Sequence, residues 1–88
     1  MNYYRHLYVT ESVKKKQKKI VERLEQNRPQ REIYLITIAA SEQEQLDIIN
    51  AMFLLQPQYP KDDLFVVGIA KGEYEALELI EQIAKDVF

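Results

Sequence analysis

Two runs in the chain, Ile33-Tyr-Leu-Ile-Thr-Ile-Ala-Ala40 and Leu64-Phe-Val-Val-Gly-Ile-Ala70, are apolar at nearly every position. A strand that reads this way has both faces buried, which is the mark of an interior strand covered on each side. An earlier run, Tyr4 to Thr10, is different, because Leu7 and Val9 alternate with His6, Tyr8 and Thr10. It reads as a strand with unlike faces.

Helical spacing fills the segments between. Val13, Ile20, Val21 and Leu24 fall on one face of a helix from Glu11 to Asn27, which Arg28 and Pro29 end because the residue before a proline avoids helical geometry. Ser41 stands three residues before Glu44, a capping-box pattern that opens a second helix running to about Leu55. Gly72 to Val87 makes a third, with Leu77, Leu79, Ile80, Ile83, Ala84 and Val87 on its apolar side.

Strand-then-helix units repeated three times predict an α/β fold, βαβαβα, built on a three-stranded parallel sheet. With 88 residues, residues 1–88 form one α/β domain. A strand order of 2-1-3, as in half of a flavodoxin-like domain, puts helices on both faces and suits the two apolar strands; an order of 1-2-3 puts the first two helices on the same face. Against 2-1-3 stands the first strand, more polar than a central strand ought to be.

The second helix has an apolar face that is too wide. Leu46, Ile48, Ile49, Ala51, Met52, Phe53 and Leu55 span roughly 200° of its wheel, about twice what a surface helix needs against its own sheet. Either another helix of the same molecule covers it, or Ile48, Ile49, Met52 and Leu55 pack against a symmetry mate in a homodimer. Two open sheet edges give a further reason to pair.

Charge is unevenly shared. Residues 1–31 hold nine Lys or Arg against three acids, and residues 32–88 hold three against eleven. Lys14, Lys15, Lys16, Lys18 and Lys19 crowd the start of the first helix, where cations oppose the macrodipole. They spread over the whole solvent side of that helix. With Arg5, Tyr3, Tyr4 and Tyr8 they make a basic and aromatic composition of the kind that binds single-stranded nucleic acid, although a pI near 5.4 argues against that class. Glu73, Glu75, Glu78, Glu81 and Asp86 give the third helix an acidic outer arc, a possible match for the lysines of a neighbouring molecule.

Chemistry in a parallel sheet gathers beyond the carboxyl ends of its strands. That rule nominates Thr10, Ser12, Ser41, Lys71 and Gly72, each at a strand-to-helix turn whose free amides favour an anion. Neither a Walker sequence nor GxGxxG accompanies them. No cysteine and one histidine exclude disulfides, thiolate catalysis and multi-histidine metal sites. His6 falls four residues before the end of its strand, roughly 13 Å from those turns, so it is no base for Ser12 or Ser41. No run of apolar residues is long enough to span a bilayer, and the start lacks the apolar stretch of a secretory signal, which points to the cytoplasm.

The strings HLYVTES, YLITIA and FVVGIAKGEYEALELIEQI resemble a set of short bacterial α/β proteins with no assigned function, most closely from Asp63 to Ile83. The resemblance implies no activity, cofactor or residue role. The reading from the residues is therefore a non-enzymatic interaction or regulatory module that self-associates, with no catalytic residue, metal or cofactor, no membrane, and an acidic protein as a possible partner. The alternatives are a small binder of phosphate-bearing ligands at the strand-to-helix turns, or a weak nucleic-acid binder through the basic first helix.

Overall fold

The computed structural model describes residues 1–39 and 45–87. Its strands are β1 (Asn2–Val9), β2 (Ile33–Ala39), β3 (Leu46–Asn50) and β4 (Leu64–Lys71), and its helices are α1 (Glu11–Lys14), α2 (Gln17–Glu25) and α3 (Glu73–Val87). The sheet runs β1-β4-β2-β3. Only β1 and β4 pair in parallel; β2 is antiparallel to both β4 and β3.

This overturns the three-stranded parallel, flavodoxin-like sheet in 2-1-3 order. The two apolar runs do occupy the centre, as β4 and β2, where each face is covered. The more polar first strand, with Asn2, Arg5 and His6 exposed, takes an edge. An edge strand keeps one side open to water, so polar residues cost little there.

The expected second helix is also corrected. Leu46–Asn50 is a strand and Ala51–Leu55 a short 3-10 turn, while the capping pattern at Ser41 and Glu44 lies outside the described residues. Leu46 and Ile48 pack on one side of the sheet and Ile49 on the other, with Asp47 exposed. An apolar run this short fits a strand as well as a helix, and β2 beside it supplies a hairpin partner from Tyr34 opposite Asn50 to Ile38 opposite Leu46. Asn50 ends the strand, since its Oδ1 accepts the Met52 amide at 2.8 Å and its Nδ2 donates to the Arg31 carbonyl at 3.1 Å.

Helices cover the sheet on both sides. Val13, Ile20 and Leu24 of α1 and α2 pack with Leu35, Leu54, Val66 and Ile69; on the other face Ala76, Leu79 and Ile83 of α3 pack with Ile36, Val67 and Ala70. Gly68 permits the close approach of α3, because a Cβ there would meet Ile83 Cδ1 at 3.0 Å and Leu79 Cδ2 at 3.1 Å. The pairing of β4 with β2 slips at this point, so Val67 and Gly68 both face α3 in a bulge.

The single first helix is really two. The Lys16 amide donates to the Val13 carbonyl at 2.9 Å, a tight turn that closes α1, and Lys16 itself leaves helical geometry at φ −122° and ψ 20°. At the far end of α2, Asn27 takes φ 56°, and the Arg28 and Asn27 amides donate back to the Arg23 and Leu24 carbonyls. That is a Schellman cap. Lys61 completes it by donating to the Leu24 carbonyl and to Asn27 Oδ1, each at 2.7 Å. Among the described residues no helix is long and apolar enough to cross a membrane.

Candidate anion-binding cleft

Because β1 and β4 are parallel neighbours, their carboxyl ends emerge side by side, and the antiparallel β2 begins at the same end of the sheet. Three passages therefore converge there: Thr10 to Ser12 where β1 gives way to α1, Lys71 and Gly72 where β4 ends, and Pro29 to Glu32 before β2. Between them and α2 lies a cleft of about 520 Å³. Lys15, Lys16, Arg23, Arg31 and Lys71 line it, with Ser12, Gln30 and a single carboxylate, Glu32.

Five cations against one carboxylate make a strongly positive concavity. Two of them are arginines, whose planar forks match phosphate or carboxylate oxygens in pairs. Lys71 Nζ stands 3.8 Å from Glu32, and both side chains are more than half exposed. An exposed pair of this kind is worth little, so an incoming anion competes for Lys71 at small cost. The floor is fixed: Gln30 is buried and donates to the Ile20 carbonyl at 3.2 Å, and the Gly72 amide donates to the Glu32 carbonyl at 2.7 Å.

The start of α3 behaves differently. Glu75 accepts from the Ser12 hydroxyl at 2.9 Å and from the Lys71 amide at 3.3 Å. Thr10 Oγ1 is buried and makes no hydrogen bond of full geometry, yet it stands close enough to Glu75 to favour the ionised carboxylate. A hydroxyl beside a carboxylate favours its charged form. Thr10, then Ser12 and the Lys71 amide and charge, hold the Glu75 carboxyl below the usual carboxylate range. A carboxylate of the protein's own, Glu75 in the first turn, thus stands beside the helix terminus that Gly72 opens.

Of the five residues nominated at the turns, Ser12 and Lys71 reach the cleft together. Thr10 lies on the α3 side, in a groove with Glu75, Glu78 and Glu81. Gly72 is not part of the cleft lining. Ser41 lies outside the described residues, and β2, which precedes it, ends at the opposite end of the sheet. Arg23, Arg31 and Glu32 were not singled out from the sequence. Only the antiparallel course of β2 brings Arg31 beside Lys71, and no local pattern announces that.

The five lysines are all exposed; Lys15 and Lys16 rim the cleft and, with Lys18, Lys19 and Glu22, border a second basic depression. The aromatic half of the nucleic-acid composition is elsewhere. Tyr4 and Tyr8 stack at 6.4 Å on the α3 side, near Phe65, Ile38 and Ile83, and His6 meets Tyr4 edge-on. Tyr3 is on the α2 side but is committed to Glu25, to which it donates at 2.8 Å; burial, then that carboxylate, push its pKa up. Ile48, Ile49, Met52 and Leu55 share no common face, being split between β3 and the 3-10 turn. Among the described residues no cluster of three or more His, Asp or Glu is placed to hold a metal ion.

Comparison of the chain with protein-family models, with curated proteins and with solved structures returns no match.

Proposed function

We propose that this protein is a cytoplasmic binding module for phosphate-bearing ligands, which it takes in the cleft between α2 and the carboxyl ends of β1 and β4. One observation carries the reading: Lys15, Lys16, Arg23, Arg31 and Lys71 surround about 520 Å³ whose described lining holds one carboxylate, Glu32. The five cations are all exposed, so the cost of gathering them is mutual repulsion, which a bound anion relieves. Glu32, paired with Lys71, is poorly placed as a general base, and His6 lies in β1 away from the cleft, so the reading is one of binding.

The test is a thermal-shift panel of nucleotides, sugar phosphates, inorganic phosphate and a short oligonucleotide. A ligand at 100 times its dissociation constant adds about 2.7 kcal/mol, upwards of about 10 °C in a domain of this size. Arg23→Ala and Arg31→Ala each weaken binding, while Lys85→Ala, remote from the cleft, leaves it unchanged. A panel without any shift, or arginine variants that bind as the parent does, rejects the reading. A shift from the oligonucleotide alone moves the site outward along the lysine run.

A further inference from the structure

The two helical layers lie on opposite faces of the sheet and carry opposite charge. Residues 11–28, which hold α1 and α2, have seven cations against three carboxylates, whereas residues 73–87 of α3 have five carboxylates against one lysine. Among the described residues the only ion pair is Lys71 with Glu32, so neither layer is neutralised from within. On α3 the crest is formed by Tyr74, Glu78 and Glu81, one and two turns apart, with Leu77 on its flank. Tyr74 is 75% exposed and Leu77 51%, although spacing alone had put Leu77 on the apolar face. Beside the crest runs a groove of about 460 Å³ whose lining holds three carboxylates, Glu75, Glu78 and Glu81, against one cation, Lys85.

We infer that copies of this chain associate head to tail, with Lys18 and Lys19 of one molecule seated on the acidic crest and groove of α3 in the next. The charges match in sign and nearly in number. The long lysine stems bury against Tyr74 and Leu77 while their ammonium groups reach the carboxylates, which accounts for exposed apolar residues amid acids. It also accounts for cations at a helix start, where they oppose the macrodipole and add nothing to local stability. Since the two surfaces sit on opposite faces, the contact is heterologous, and it extends into open chains instead of closing as a dimer. The inference goes beyond the ligand reading and stands or falls separately, because it rests on the outer faces of α2 and α3 and not on Arg23, Arg31 or Lys71.

Light scattering and sedimentation over a concentration series test it at about 10 mM and about 1 M salt, between which the Debye length falls from about 30 Å to about 3 Å. The mean mass is expected to rise with concentration at low salt, without a fixed end point, and to return to the 10.4 kDa monomer at high salt. Lys18→Glu with Lys19→Glu weakens association by more than about tenfold, as does Glu78→Lys with Glu81→Lys, through like-charge contact. A chain carrying all four exchanges regains it, with the polarity reversed. A monomer at low salt, association that persists at high salt, or a fourfold variant that stays dissociated overturns the inference. Circular dichroism on each variant confirms that the fold is intact.

Discussion

Glu75 ties three elements with one carboxylate, holding Ser12 after β1 and the Lys71 amide at the end of β4 from the first turn of α3. Its folded pKa lies below the ordinary value, so its contribution is present above the unfolded pKa, near 4.3, and disappears as the pH falls through the folded value. Glu75→Gln is expected to cost roughly 0.5–1.5 kcal/mol at neutral pH. Urea titrations of parent and variant check this: the gap is constant above about pH 5 and narrows below about pH 4. A gap that does not change with pH would assign Glu75 to packing alone. At this scale the sequence was partly readable. Ser12 and Lys71 lie where a strand gives way to a helix, and any such turn is a candidate. Arg23 and Arg31 belong to the same cleft only through the course of the chain, which no single residue reveals.

The elements divide in the same way. The runs now seen as β2 and β4 were legible as interior strands because continuous apolar sequence has no other use in a sheet of this size. Leu46 to Leu55 was not, since Leu46, Ile48 and Ile49 satisfy a helical wheel as easily as a pleat, and the overwide arc on that wheel is itself the trace of a wrong period. Helix α2 presents the converse case, in which the helical period is right although the expected Glu11–Asn27 helix is broken in two, and its charges work against it. Lys18 and Lys19 lie in its first turn, where the dipole favours acids. Lys19→Glu places an acid three residues after the cap and four before Arg23, so it is expected to stabilise the fold by about 0.3–1 kcal/mol. A higher midpoint in urea would show that the native lysine serves something other than stability. A lower one would show that Lys19 already makes favourable local contacts, chiefly with Glu22, and would remove one argument for its role in association.

For the whole molecule, the segregation of charge sets how stability responds to salt. Within each helical layer, neighbours such as Lys19 and Arg23, or Glu75, Glu78 and Glu81, repel over one turn. The attraction between the layers acts across two packing distances, about 20 Å in all. Repulsion is the nearer term, and the one described ion pair, Lys71 with Glu32, is too exposed to offset it. Screening should therefore stabilise the dilute monomer, raising its urea midpoint between about 10 mM and about 0.1 M salt, over which the Debye length shortens from about 30 Å to about 10 Å. The same salt is expected to dissolve the proposed head-to-tail chains, so unfolding and association should move in opposite directions with one variable. A midpoint that falls with salt would mean that attraction across the sheet outweighs repulsion within the layers. The opposite charges of α2 and α3 would then be satisfied inside one molecule, and a second copy would have nothing left to neutralise.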